Sequence, residues 1–269
     1  MFGYIYDLGH GHRLLCGDAT APEHLQALLG DERAAMIWTD PPYGVDYVGK
    51  TEDALTIQHD ASTGLLQLLT SAWAAAAPVL VDCAPFYVAG PTGDNAISFL
   101  RSFDVAGWRY KQMLVWVKNT MVLGRQDHQL KHEGIYYGNA PGTRIAGRMA
   151  KDSYRWYGGD NVTSVFEVPK PAASREHPTM KPVKLIRPGI ENSSQTGEIV
   201  LDMFAGSGST LIAAHQLGRR AFLVEYDPRY AQVIRDRFKR YLEEQERILG
   251  QAPPPLLDAP DYGPSALEA

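Results

Sequence analysis

The chain has 269 residues, of which 45% are apolar; this suits one large α/β domain and allows a sizeable core. No apolar run reaches the ~20 residues that a membrane helix needs, and the first residues lack the basic and apolar regions of a signal peptide. Two cysteines exclude a disulfide framework, so we expect a reduced, soluble, cytoplasmic protein. A net charge of −5 does not by itself indicate a nucleic-acid-binding protein.

Short apolar runs alternate with helical patterns over the first 140 residues. The runs predict strands at 12–18, 34–40, 83–90, 110–118 and 132–139. The patterns between them predict helices at 22–29, 63–80 and 96–108. Polar, aperiodic residues at 44–62 predict a mobile loop directly after the second of these strands.

The region from about residue 140 to 176 has neither helical nor strand periodicity, and we interpret it as a small insertion without a core of its own. A helix is predicted to begin at Pro182, and Pro188 is expected to kink or shorten it. The basic residues are concentrated here: 142–187 carry nine Lys or Arg against four Asp or Glu. Charge alone favours reading this segment as a solvated surface.

The C-terminal third has the clearest pattern. It predicts strands at 198–204 and 221–227, and helices at 210–218 and from 228 onward. Strands alternating with helices predict one doubly wound, mostly parallel domain over residues 1–250. The tail at 251–269, rich in Pro and Ala, is predicted to be disordered.

The sequence "DMFAGSGST" lies between a predicted strand and helix, where open α/β sheets bind ligands. Gly206 and Gly208 allow a ligand to approach backbone N–H groups at the start of the helix. Glu225 ends the next strand, where an acid can hold the ribose hydroxyls of a nucleoside cofactor. Asp202 precedes the glycines and suits a cationic amino-acid group better than a pyrophosphate. The combination favours S-adenosylmethionine, with NAD as the alternative.

The sequence "TDPPY" ends the strand at 34–40. Pro41 and Pro42 restrict the backbone, so the carbonyl between them points in a fixed direction. Together with the Asp40 carboxylate it could accept hydrogen bonds from an exocyclic amino group and orient that nitrogen toward an electrophilic methyl group. Tyr43 could stack on a planar base. Such catalysis would depend on positioning and electrostatics, without a covalent nucleophile. A plain proline turn is the alternative.

These two motifs together resemble the amino-group DNA methyltransferases, which modify adenine N6 or cytosine N4. The order "TDPPY", basic segment, "HPTMKP", "LDMFAGSGST" is similar to the permuted β group of that family. Further matches are "LLCGDA", "LVWVKN", "HEGIYYG" and "FLVEYDPRYAQVIRDRF", so the resemblance covers about residues 12–242. It implies a Rossmann-like, circularly permuted α/β fold with seven strands in the order 3-2-1-4-5-7-6 and strand 7 antiparallel.

The resemblance also implies site residues. The catalytic residues would be Asp40, Pro41, Pro42 and Tyr43, acting on a flipped base. The S-adenosylmethionine site would be formed by Asp18, Asp40, His177, Thr179, Lys181, Asp202, Phe204, Gly206, Gly208, Ser209 and Glu225. For Lys181, a solvated lysine at a helix start stays the alternative. We assign no metal ligands.

The basic segment corresponds to the target-recognition region of the family. It would bind duplex DNA through Arg144, Arg148, Lys151, Arg155, Trp156 and Tyr157. Because the region is short, we expect a short or relaxed recognition sequence.

Several functional alternatives stay open. Family members that act on cytosine more often carry Ser before Pro-Pro-Tyr, so Asp40 favours adenine N6 over cytosine N4. An RNA substrate is disfavoured because no RNA-binding module is recognisable. A DNA- or cofactor-binding module without catalysis is disfavoured because Asp40 to Tyr43 are intact. Many relatives dimerise, so a homodimer is expected, whereas the sequence identifies no restriction partner.

Overall fold

The architecture is taken from a computed structural model that describes residues 2–44, 64–124, 127–145, 148–149, 154–170 and 180–249. Most of the predicted loop at 44–62 and the predicted disordered tail lie outside these residues. No helix within the described ranges has both the length and the apolar character needed to span a membrane.

The described chain forms eleven strands and six α-helices. The strands are β1 (Tyr4–Asp7), β2 (Arg13–Cys16), β3 (Met36–Thr39), β4 (Pro85–Gly90), β5 (Arg109–Val122), β6 (Leu130–Asn139), β7 (Arg144–Ile145), β8 (Arg148–Met149), β9 (Val165–Glu167), β10 (Ile199–Asp202) and β11 (Arg220–Glu225). The helices are α1 (Pro22–Leu29), α2 (Leu65–Ala76), α3 (Ala96–Val105), α4 (Val183–Ser193), α5 (Ser209–Gln216) and α6 (Pro228–Leu249). The strands and helices predicted from periodicity are all present, with bounds shifted by a few residues.

Nine strands form one sheet in the order β1-β2-β11-β10-β3-β4-β6-β5-β9. The seven from β2 to β5 reproduce the expected order 3-2-1-4-5-7-6, and β6 is antiparallel to both of its neighbours, as strand 7 should be. The two edge strands were not predicted. β1 pairs antiparallel with β2, and the three-residue β9 pairs parallel with β5. β9 has only three residues, too few for a period of two to be distinctive, whereas β1 is as long as β2 and was missed.

Each face of the sheet carries its own hydrophobic core, because alternate residues of a strand point to opposite faces. Helices α1, α2 and α3 cover one face, where Trp73 and Phe103 are fully buried. Helices α4, α5 and α6 cover the other, where Ile190 and Phe238 are fully buried. The molecule therefore has the three layers of a doubly wound fold.

The described part of the region predicted as an insertion contacts the main sheet through β9 and through Val168. β7 and β8 pair with each other, whereas β9 extends the sheet. The Trp116 indole N–H donates to the carbonyl of Val168 at 2.6 Å, and Trp156 packs against the core beneath α4 to α6. The described part of this region thus contacts the core of the domain, and its assignment as an insertion stays a prediction.

Helix α4 differs from the sequence expectation at its start, and it is not shortened at Pro188. Pro182 is the N-cap residue, not the first helical residue, and the helix continues past Pro188 to Ser193. Leu185, Ile186 and Ile190 are buried against the sheet on either side of Pro188. Their packing compensates for the backbone hydrogen bond that proline cannot make.

Candidate active site

The carboxyl ends of the parallel strands meet at one edge of the sheet and open into a cleft of ≈ 860 Å³. Eleven of the predicted site residues line it: Asp18, Asp40, Pro41, Pro42, Tyr43, Lys181, Asp202, Phe204, Gly206, Ser209 and Glu225. The cleft therefore brings together side chains that are up to about 200 positions apart in the sequence. His177 and Thr179 lie outside the described residues.

A buried threonine joins the two motifs at the centre of this edge. The Thr39 hydroxyl donates to Asp202 Oδ1 at 2.7 Å and lies 3.2 and 3.1 Å from the backbone nitrogens of Met203 and Phe204, which donate to it. Thr39 ends β3 and Asp202 ends β10, which are parallel neighbours. This arrangement places Asp40, the next residue, beside the turn that carries the glycines.

The glycine turn is hydrogen-bonded by Glu225 at the end of β11 and by Arg237 on α6, whose guanidinium donates to the Ser207 carbonyl at 2.7 Å. Gly206 and Gly208 have φ angles of 53° and 77°, which favour glycine. The Gly206 N–H donates to Glu225 Oε2 at 2.8 Å, and the Gly208 N–H donates to the carbonyl of Ala205 at 2.8 Å. These two N–H groups therefore have internal partners, and the approach of a ligand to N–H groups at the start of α5 stays a prediction. The glycines instead shape the turn and fix the Glu225 carboxylate.

The two acids beside the turn have perturbed pKa values. Burial raises the pKa of Asp202 to about 6, although hydrogen bonds from Thr210, Thr39 and the Phe204 N–H oppose the shift. Burial likewise raises the pKa of Glu225 to about 7, although hydrogen bonds from the backbone N–H groups of Asp227 and Gly206 oppose the shift. Buried carboxylates with raised pKa values facing a cleft are typical of ligand sites, because a cationic or hydrogen-bonding ligand can stabilise their charged form.

Asp18 follows β2 at the far side of the same cleft. Its Oδ1 accepts hydrogen bonds from the backbone N–H and the hydroxyl of Thr20, each at 2.8 Å. Its backbone N–H donates to His24 Nδ1 at 2.9 Å. The local turn therefore orients the carboxylate at the start of α1.

Asp40 is enclosed by donors at the other end of the cleft. The Lys181 ammonium donates to both carboxylate oxygens, at 2.8 and 2.7 Å, and the Tyr43 hydroxyl donates to Oδ1 at 3.0 Å. Burial raises the pKa of Asp40, and the Lys181 charge opposes that shift. The side chain of Lys181 is only 8% exposed, which excludes the alternative of a solvated lysine.

Two further charged residues complete this cluster and were not singled out from the sequence. Lys118 on β5 is paired with Glu133 on β6 at 2.5 Å, and Glu133 lies 3.3 Å from the Lys181 ammonium. Although burial opposes ionisation of Glu133, Lys181 and Lys118 lower its pKa to about 2. These residues lie in the apolar strand motifs "LVWVKN" and "HEGIYYG". A charged residue inside an apolar strand is the sequence signal that could have identified each of them.

The position of Tyr43 is fixed from the side of α3. Its ring meets Phe99 edge to face with centroids 6.2 Å apart. The Asn95 amide donates to the carbonyls of Tyr43 and Gly44 at 2.8 and 2.9 Å. The backbone after the Pro-Pro pair is therefore anchored, which suits a ring that has to present one face to a ligand.

The predicted DNA-contacting residues do not form one described surface. Arg155 forms an ion pair with Glu198, and the Trp156 indole N–H donates to the carbonyl of Gly159 at 2.8 Å. Tyr157 is 44% exposed. The side chains of Arg144 and Arg148 and all of Lys151 lie outside the described residues, so contact with DNA stays a prediction for this set.

A profile of the N6/N4 DNA methylase family matches residues 34–236, well over half of the chain. The chain belongs to this DNA methylase family. The family resemblance predicted from the motifs is thereby confirmed, whereas the choice between adenine N6 and cytosine N4 is not decided by membership.

Individual relatives of this chain agree with the family profile. The Type II methyltransferase M.Cfr9I of Citrobacter freundii is 32% identical over 145 residues, 49% of this chain and 45% of that protein. The chain spans 24% to 45% of the length of six curated relatives that it matches. Among solved structures, TTHA0409 of Thermus thermophilus in complex with S-adenosyl-L-methionine has a TM-score of 0.57 and 27% identity, covering 85% of this chain and 93% of that one.

A third comparison concerns the fold alone. The cytosine-N4-specific PvuII DNA methyltransferase has a TM-score of 0.58 and 16% identity, and the match covers 89% of this chain and 93% of that one. The Rossmann-like α/β fold of DNA methyltransferases is thus shared with an enzyme that acts on cytosine. The fold therefore does not identify the target base.

Replacing Thr39 by Val tests its role at the junction of the two motifs. The change keeps the shape but leaves the Met203 and Phe204 N–H groups and the Asp202 carboxylate with one partner fewer. We expect the free energy of unfolding to fall by about 1–3 kcal/mol, measured by urea denaturation. Thr163→Val, at an exposed threonine, should change it by less than about 0.5 kcal/mol. Equal stability of the two variants would contradict this role.

Proposed function

We propose that this protein transfers a methyl group from S-adenosylmethionine to the exocyclic amino group of a flipped base in duplex DNA, with adenine N6 as the target. The observation that carries the proposal is the Thr39–Asp202 hydrogen bond, at 2.7 Å. It sets the Asp40 carboxylate directly beside a cofactor-type glycine turn within one cleft. A methyl donor and an amino-group acceptor would therefore meet at the same strand ends.

The glycine side of the cleft fits the cofactor by charge and by hydrogen-bonding chemistry. Bound S-adenosylmethionine supplies an electrophilic methyl group. Glu225 would accept hydrogen bonds from the ribose hydroxyls, and Asp202 would face the cationic amino-acid part. Asp18 and Phe204 would line the remainder of the site, together with Ser209, whose hydroxyl accepts a hydrogen bond from Arg237 at 3.1 Å.

The Asp40 side of the cleft would hold the base. Asp40 and the Pro41 carbonyl would accept the two amino hydrogens, which turns the nitrogen lone pair toward the methyl group, and Tyr43 would stack on the ring. The target base has to leave the duplex because its amino group is otherwise paired. The contribution of the protein is positioning in a water-poor site, where fixed acceptors act more strongly than in water.

Adenine N6 is proposed over cytosine N4 on the identity of residue 40. Asp stands where cytosine-modifying relatives more often have Ser. Cytosine N4 stays the alternative, since it would use the same acceptors. For DNA binding we propose the short basic segment, with Tyr157 as an exposed aromatic candidate, and therefore a short or relaxed recognition sequence.

The proposal predicts N6-methyladenine in duplex DNA incubated with the protein and isotope-labelled S-adenosylmethionine. The product is identified by mass spectrometry of the digested nucleosides. Asp40→Asn keeps the size of the side chain but removes its charge, and we expect it to lower methylation at least about 100-fold. N4-methylcytosine would support the alternative target base. Cofactor binding without methylation of DNA would contradict the proposal and favour an RNA substrate or a binding module.

The raised pKa of Glu225 predicts that cofactor affinity depends on pH. Only the ionised carboxylate can accept hydrogen bonds from both ribose hydroxyls, and Glu225 loses its charge as the pH falls through about 7. We expect the Kd for S-adenosylmethionine to rise by up to about tenfold between pH 7 and pH 6, measured by calorimetry. Glu225→Gln should bind more weakly and change less over this range. The same pH dependence in both proteins would refute the role of Glu225.

A further inference from the structure

In the free protein the carboxylate of Asp40 has no oxygen free of hydrogen bonds. Lys181 donates to both oxygens at 2.7 and 2.8 Å, and Tyr43 donates to Oδ1 at 3.0 Å. The proposed reaction requires one of these oxygens to accept an N–H of the base. These hydrogen bonds occupy three of the about four lone-pair positions of the carboxylate, so an N–H of the base has to compete with Lys181 and Tyr43 for Asp40.

Glu133 lies next to both donors and offers them a second carboxylate. Its Oε2 is 3.3 Å from the Lys181 ammonium and 3.4 Å from the Tyr43 hydroxyl. A buried ammonium that lost its only carboxylate would be left desolvated and unpaired, which is costly. With Glu133 alongside, a small rotation of the ammonium or of the hydroxyl would exchange one carboxylate for the other.

The position of Glu133 is fixed by its surroundings. It is opposite Trp116 in the β5–β6 ladder, and Lys118 pairs with it at 2.5 Å. The Lys118 side chain is 3% exposed and its ammonium lies 5.2 Å from the centre of the Trp116 ring. Glu133 is therefore a fixed acceptor, and an exchange would need only a rotation of the Lys181 ammonium and of the Tyr43 hydroxyl, while the Tyr43 ring and backbone stay in place.

We propose that Glu133 is a positioning residue that accepts the Lys181 ammonium and the Tyr43 hydroxyl when the amino group of the target base replaces them on Asp40. This inference rests on the proposed function. The two carboxylates and two ammonium groups keep the cluster electrically neutral in both arrangements. Glu133 acts through Lys181 and Tyr43 and needs no contact with the base.

The test compares two duplexes that contain the recognition site mapped with the wild-type protein. One carries adenine at the target position and the other carries purine, which has hydrogen in place of the amino group. Binding is measured by fluorescence anisotropy with S-adenosylhomocysteine present, so that no turnover occurs. We expect the wild-type protein to prefer adenine by about tenfold, because only adenine donates to Asp40.

In Glu133→Gln, Lys181 stays on Asp40, so the preference for adenine should fall below about twofold and kcat should fall at least about tenfold. Glu133→Asp retains the charge and should recover part of both. Glu133→Gln alone leaves Lys118 without its carboxylate and could be unstable. The double variant Lys118→Met, Glu133→Gln removes that lysine, and we expect it to show the same loss of preference and of kcat as Glu133→Gln. Glu32→Gln, which breaks a distant ion pair with Arg220, should match the wild type.

Two outcomes would overturn this role. A Glu133→Gln protein that keeps the preference for adenine and a kcat within about threefold of wild type would show that no exchange is needed. Equal weakening of both duplexes would indicate a merely structural residue. A wild-type protein without methylation activity would instead overturn the proposed function, and this role with it.

Discussion

The hydrogen bond between Thr39 and Asp202 is the constraint on which the site depends. It joins the ends of β3 and β10, which are adjacent in space but more than 150 positions apart in the chain. The threonine also accepts from the N–H of Phe204, so the bond and the turn that follows it form one unit. Any displacement of one strand end relative to the other would separate the proposed methyl donor from the amino-group acceptor.

The two ends of the cleft differ in their electrostatic environment, because, within the described part of the chain, the carboxylates at one end are paired with lysines and those at the other are not. At the glycine turn, Asp202 and Glu225 are buried, and their pKa values rise to about 6 and about 7. At the other end, Glu133 lies between two lysines that lower its pKa to about 2. Neither Asp202 nor Glu225 has an ion-pair partner among the described residues, which suits a cationic, hydroxyl-bearing ligand. The paired cluster suits a neutral base that exchanges hydrogen bonds without a change of charge.

Local sequence patterns predicted most of the fold, because strands that end in Asp and helices that follow Gly or Pro have short-range signals. The order of the seven central strands came from the family resemblance and was confirmed. The pairing of Lys118 with Glu133 could not be read locally, since β5 and β6 each look apolar and the register that joins them is set by the whole sheet. Shortening of α4 at Pro188, one of the two effects expected of that proline, does not occur, because tertiary packing outweighs its local effect.

A crystal structure of the protein with S-adenosylmethionine would test the central claim most directly. We expect the ribose hydroxyls on Glu225, the amino-acid part near Asp202 and the sulfonium methyl group pointing toward the Asp40 carboxylate. Cofactor bound elsewhere, or with its methyl group directed away from Asp40, would contradict the account.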